Sequence, residues 1–190
     1  MEEKERYFFA LNLPSEAETP LRLAQDHLPS GMRYSRTNYF HVTLKFLGGI
    51  PEFEVMKARL KAREVCSRMS FSEEDLKVSF TKVGIFFRGG IPSVIWVGSF
   101  LSKKMLDFQR NLDEGLFQSG FRMERKRFKS HVTLARVRDG ADPTTETIEK
   151  LRRVGIQKKS FQMSSFYLMK SYVTPHCPPR YEVIEEFRFG

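Results

Sequence analysis

The chain has 190 residues, enough for one domain or two small lobes, and its apolar fraction of 41% supports a packed core rather than a disordered chain. A formal net charge of +9 favours a polyanionic partner, and nucleic acid or an anionic membrane surface are the usual choices. Two cysteines, Cys66 and Cys177, are too few for a disulfide framework. With no signal-peptide core and no apolar stretch of membrane-spanning length, a cytoplasmic protein with free thiols is the expectation.

In chain order, Tyr7 to Leu13 reads as a largely buried strand closed by Pro14. A helix follows, opened by Thr19-Pro20 or, one turn earlier, by a Ser15/Glu18 capping box. Ala17, Leu21, Ala24 and Leu28 form its inward stripe, and Pro29-Ser30-Gly31 stops it. A short strand is expected over 32–35 and a longer one over 40–47, ended by the turn Gly48-Gly49-Ile50-Pro51. Glu52 to Met69 reads as a helix with Phe53, Met56, Leu60 and Met69 inward. Leu76 to Phe86 and Pro92 to Gly98 flank Arg88-Gly89-Gly90 as a hairpin. Ser102 to Ser119 is a helix burying Met105, Phe108, Leu112 and Leu116, with Gly120 just past its end. A strand over 128–137, a helix opened by Asp142-Pro143 and burying Ile148 and Leu151, one strand over 160–171, and a last strand over 180–189 complete the chain.

Residues 41–44 read His-Val-Thr-Leu, and residues 131–134 repeat them. Around each copy the order helix, motif strand, helix, strand recurs. The expectation is an α+β, bilobal duplicated fold within one domain, with the halves meeting near residue 100. Two antiparallel sheets would face a central cleft, with helices on the outer faces. Strand alternation points Val42 and Leu44 one way and His41 and Thr43 the other, and likewise Val132 and Leu134 against His131 and Thr133. By the same parity Lys45 joins His41 and Thr43, and Lys129 joins His131. Arg136 falls on the opposite face, unless a bulge or strand end intervenes.

Two imidazoles across a cleft supply a proton acceptor and a proton donor near neutral pH. Neighbouring hydroxyls and cations stabilise charge on phosphoryl oxygens. That set suits displacement at phosphorus without a metal. Zinc fits poorly, because the remaining histidines, His27 on a helix and His176 in a loop, lack ligand spacing. The glycine pairs lack the rest of a phosphate-binding loop.

Two His-x-Thr-hydrophobic motifs, one per half, resemble the 2H phosphoesterase superfamily, and within it the RNA 2′,3′-cyclic 3′-phosphodiesterases, also called the 2′-5′ RNA ligase family. The likeness runs nearly end to end: the Tyr7–Pro14 strand; Arg33-Tyr34 with His41 to Gly48; Pro92 to Gly98; Phe128 to Arg136; and Pro179 to Val183. The resemblance implies a bilobal fold with the active site between the lobes. It also implies opening of a terminal 2′,3′-cyclic phosphate on RNA to a 2′-phosphomonoester. Some relatives join or cleave 2′-5′ linkages in tRNA halves, which makes ligation the alternative reading; a non-catalytic RNA-binding module is another. It implies His131 as base on water, His41 as acid toward the departing O3′, and Thr43 and Thr133 as phosphate ligands. Arg136 matches a family arginine, against its parity. Lys45 and Lys129 complete the candidate phosphate site. No metal or cofactor is expected. The implied partners are RNA with 2′,3′-cyclic phosphate ends, tRNA fragments or nucleotides, with a monomer as the expected state. The chain departs from the family at Tyr39, where asparagine is frequent, at Ser130, where proline is usual, and in the loop 174–178, which is not glycine-rich.

Overall fold

A computed structural model describes residues 4–30, 33–138, 144–173 and 179–190. In order, the elements are β1 (Lys4–Asn12), a 3₁₀ turn (Ser15–Ala17), α1 (Glu18–Asp26), β2 (Tyr34–Arg36), β3 (His41–Gly48), α2 (Glu52–Ser67), β4 (Lys77–Arg88), β5 (Ile91–Leu101), α3 (Lys103–Gln118), β6 (His131–Val137), α4 (Thr145–Arg152), β7 (Ser160–Gln162), β8 (Ser165–Val173) and β9 (Arg180–Arg188). The expected α+β class is what forms, as four helices and a curled antiparallel sheet.

The strands run β7-β4-β5-β6-β3-β1-β8-β9, with β2 also on β6. Two half-sheets meet at the seam between β3 and β6, where Val42 pairs with Val132. The half-sheets do not follow the chain's two halves. β1 and β3 lie with β8 and β9, while the middle strands β4, β5 and β6 lie with β7. The segment expected as one strand over 160–171 is therefore two. β7 pairs with β4, and three residues later β8 pairs with β1 and β9 in the other half-sheet.

One face of the sheet carries the helices. Leu21 and Ala24 of α1, Val55, Ala58 and Ala62 of α2, Met105, Phe108, Leu112 and Leu116 of α3 and Leu151 of α4 pack against Phe9, Leu11, Val42, Ile95, Val97, Val132 and Phe166. The other face has a smaller cluster of Phe8, Ala10 and Met169, edged by Tyr39, Tyr167 and Tyr181. It is the open, helix-free face.

The α1 and α3 stripes are buried as the sequence indicates. α3 is capped by Ser102, whose hydroxyl accepts from the Met105 N–H at 3.0 Å, and Gly120 takes a left-handed φ of 93° just past its end. At α1 neither expected cap forms; Pro14 and Ala17 precede the 3₁₀ turn and the helix without a side-chain bond. The α4 cap is Thr144, whose side chain accepts from the Thr147 N–H; the expected Asp142-Pro143 start lies outside the described residues. α2 is turned from its expected face. Val55, Ala58, Ala62, Val65 and Cys66 face inward, leaving Phe53 70%, Met56 49% and Leu60 59% exposed.

Candidate active site

β3 and β6 bring the two repeats together at the seam. Continuing the Val42–Val132 register by one residue sets His41 opposite Thr133 and Thr43 opposite His131. Val42 and Val132 are fully buried on the helical face, so these four side chains share the open face. The two imidazoles occupy a diagonal, about 7–8 Å apart at Cβ, and the two threonines the other.

Past the threonines both strands break their alternation at the same place. In β3, Phe9 and Ala10 oppose Lys45 and Thr43, leaving Leu44 as an extra residue; in β6, Ile95 and Trp96 oppose Ala135 and Thr133, leaving Leu134 extra. These are β-bulges. Each leucine carbonyl receives a buried glutamine amide from a helix. Gln109 of α3 donates to Leu44 O at 3.1 Å, and Gln25 of α1 donates to Leu134 O at 2.7 Å and to Thr37 O at 3.0 Å.

Each bulge exchanges the faces of the two residues that follow it, Lys45 and Phe46 in β3 and Ala135 and Arg136 in β6. Lys45 is therefore not a cleft residue, contrary to the parity expectation. It is buried on the helical face, where its ammonium pairs with Asp113 and donates to the Arg122 carbonyl at 2.5 Å. Arg136 is turned the other way, onto the open face. Its charge acts on both His41 and His131, and it reaches toward the Tyr181 hydroxyl from the far half-sheet. The family arginine thus lies at the site.

His131 is half-buried, with Phe86 at 4.9 Å and Trp96 at 6.4 Å between ring centroids. Its Nδ1 lies 2.7 Å from the Lys129 carbonyl oxygen. A carbonyl only accepts, so Nδ1 carries the proton and Nε2 is left as the free acceptor in the neutral ring. The Lys129 ammonium sits 4.1 Å over the Trp96 ring, which itself neighbours His131. Burial lowers the His131 pKa; the Lys129 carbonyl opposes this, and the Lys129 and Arg136 charges add to it.

His41 lies deeper, enclosed by Phe8 at 5.1 Å, Tyr181 at 5.4 Å and Tyr39 at 5.6 Å. Burial pushes its pKa down to about 4, reinforced by Arg136 and His131 and partly opposed by the backbone of Tyr39. Its Nδ1 finds no well-formed hydrogen bond among the described residues. Tyr39 takes the place of the family asparagine, and its hydroxyl donates to Asn12 Oδ1 at 2.8 Å. Burial raises the Tyr39 pKa to about 12 and raises that of Tyr181, so both remain neutral phenols at neutral pH. Asn12 pairs with His41 across β1 and β3 and anchors this wall.

The motif strands predicted the four central residues but not the aromatic enclosure. Phe8, Phe86 and Trp96 stand on the open face of strands read from the sequence only as apolar runs. A smaller clue was available in Tyr181, within the closing strand that resembles the family. Serine at position 130 bonds side chain to side chain with Ser99 at 2.5 Å, tying β6 to β5 where the family has proline. His27 is exposed on α1, as expected, with Nδ1 2.7 Å from the Leu23 carbonyl. His176 and Cys177 lie outside the described residues. Among the described residues no group of three or more His, Cys, Asp or Glu is placed to hold a metal ion, and no helix is long and apolar enough to cross a membrane.

The family of LigT-like phosphoesterases matches residues 101–178. The RNA 2′,3′-cyclic phosphodiesterase of Aeropyrum pernix is 31% identical over 161 residues, covering 83% of this chain and 87% of that protein. The protein of the same name from Methanocaldococcus jannaschii is 28% identical over 185 residues, covering 96% and 99%. The crystal structure of TT0787 from Thermus thermophilus superposes with a TM-score of 0.74 at 25% identity, covering 97% of each chain. Two His-Val-Thr-Leu strands at one seam, and relatives matched along nearly the whole length, lead to one conclusion: the chain belongs to the LigT-like phosphoesterases of the 2H phosphoesterase superfamily.

Proposed function

We propose that the protein hydrolyses the 2′,3′-cyclic phosphate at an RNA end to a 2′-phosphomonoester, by two-histidine acid/base catalysis without a metal. The observation that carries this is the diagonal of His41 and His131 across the β3–β6 seam, with Thr43 and Thr133 on the other diagonal and the Arg136 charge acting on both imidazoles. The names of the relatives, RNA 2′,3′-cyclic phosphodiesterase, support the substrate class.

In the proposed reaction His131 Nε2 takes a proton from water as its oxygen bonds to phosphorus. The P–O3′ bond breaks in line with the attack, and O3′ takes a proton from His41. The products are a 3′-hydroxyl and a 2′-phosphate. Thr43, Thr133 and Arg136 hold the non-bridging oxygens, where negative charge builds. In the empty site burial and Arg136 keep His41 neutral. The bound phosphodiester anion counters both and returns the proton that the acid needs. With the hydroxyl of a second strand attacking in place of water, the same steps open the cyclic phosphate into a 2′-linked phosphodiester and free the 3′-hydroxyl, which relates hydrolysis to ligation.

Hydrolysis of a 2′,3′-cyclic mononucleotide tests the reading. His41→Ala and His131→Ala are each expected to lose at least about 10²-fold in kcat, the scale of a positioned acid or base. Unaltered turnover in either variant would remove that histidine from the chemistry.

A further inference from the structure

Along β5 from the partner of His131, the open face carries a second hollow. Gly98 of β5 pairs with His131, and alternation keeps Trp96, Gly98 and Phe100 on one face while Val97 and Leu101 enter the core. Phe100 stands two residues beyond Gly98, about 7 Å along the strand, and is 65% exposed. At Gly98 the Thr81 hydroxyl takes the place a side chain would fill; a Cβ there would lie 2.5 Å from Thr81 Oγ1. Phe100 shares the groove with Ser79, Thr81, Lys82, Lys158 and Lys159, and no carboxylate lines it. None of the three lysines pairs with a carboxylate among the described residues; the Lys159 ammonium instead rests 5.7 Å from the Phe161 ring centroid.

An exposed aromatic face among unpaired cations is how single-stranded nucleic acid is held without base-specific readout: bases stack, and lysines follow the phosphates. Because Phe100 follows Gly98, the strand partner of His131, along the same face of β5, a strand whose end reacts at His131 can extend into this hollow. We infer that it binds the nucleotides just 5′ of the cyclic phosphate, with Phe100 stacking on a base and Lys82, Lys158 and Lys159 on backbone phosphates. The inference rests on the RNA-end reading above and makes the enzyme one that prefers an oligonucleotide end to a mononucleotide.

Two measurements separate the inference from its basis: anisotropy binding of a fluorescent eight-nucleotide RNA ending in a 3′-phosphate, and turnover of a 2′,3′-cyclic mononucleotide. Phe100→Ala is expected to weaken oligonucleotide binding about tenfold. The triple change Lys82→Gln, Lys158→Gln and Lys159→Gln should flatten the slope of log affinity against log salt by about 2. Lys103→Gln, on α3 and away from the cleft, should leave that slope as in the wild type. If Phe100→Ala and the triple variant bind as the wild type does while the mononucleotide is still hydrolysed, the groove inference is wrong and the activity stands. If binding responds as expected but neither the cyclic mononucleotide nor the same RNA ending in a 2′,3′-cyclic phosphate turns over, the groove stands and the proposed activity fails.

Discussion

β3 and β6 carry the same four residues, take the same bulge, and have that bulge's carbonyl held by a glutamine from a helix on the same side. Beyond the bulge they diverge. β6 sends Ala135 inward and Arg136 into the cleft, whereas β3 sends Lys45 inward to Asp113 and leaves Phe46 on the open face, 5.8 Å from Phe8 between centroids. Each strand carries one cation after its motif, and the extra residue decides what that cation does. The one in β6 lies beside both histidines; the one in β3 ties the sheet to α3.

The largest effect should separate these two cations. Arg136→Ala is expected to cost about 10²-fold in kcat/KM for a cyclic nucleotide, the scale of losing a preorganised charge donor, with little change in stability. Lys45→Met should do the reverse. It strands Asp113 in a mostly buried position, costing about 3 kcal/mol in denaturant unfolding, while the folded fraction turns over normally. The double variant Lys45→Met/Asp113→Leu should regain most of that stability. Equal catalytic losses in Arg136→Ala and Lys45→Met would erase the contrast.

A smaller effect should come from the glutamines. Gln25→Met removes the amide donor from the Thr37 carbonyl and from the Leu134 carbonyl, which keeps only the Thr37 N–H at 2.9 Å, at a cost of about 1–3 kcal/mol. By loosening the bulge that aims Arg136, it should also raise KM and lower kcat together. Gln109→Met should cost similar stability with little catalytic change, since the residue its bulge aims is Lys45. A kinetic comparison of the two variants at matched folded fractions checks this.

The smallest difference lies in proton affinity. Both imidazoles titrate below the usual value of about 6.5, and His41 falls to about 4. The proposed mechanism requires one proton on the pair, so kcat/KM should be bell-shaped with its maximum on the acid side of about pH 6.5 and should decline above it. A neutral His41 favours the folded state above its unfolded pKa. That contribution is lost as pH falls from about 6.5 through 4, so His41→Phe should unfold less readily in acid. An optimum above pH 8 would mean the cleft does not depress these groups.

The sequence made the paired motifs legible because alternation and repetition are local signals. It also yielded most strands, and the α1 and α3 faces followed from their apolar stripes. Alternation cannot see an inserted residue, so Lys45 was placed in the cleft and Arg136 outside it. The face of α2 was misread for a packing reason. Phe53, Met56 and Leu60 are the larger side chains, but Ala58 and Ala62 allow close approach, and at Gly115 of α3 a Cβ would meet Val65 at 3.1 Å. The split between β7 and β8 escaped because a crossing between half-sheets has no periodicity of its own. The aromatic walls around His41 and His131 are tertiary: Phe8, Tyr39 and Tyr181 converge from three separate segments.

The most direct test of two imidazoles acting on one phosphate is hydrolysis of an RNA oligonucleotide ending in a 2′,3′-cyclic phosphate, in excess EDTA, with the product phosphate located. Undiminished turnover yielding only the 2′-phosphate is the expected result; dependence on added metal, or a 3′-phosphate product, would contradict it.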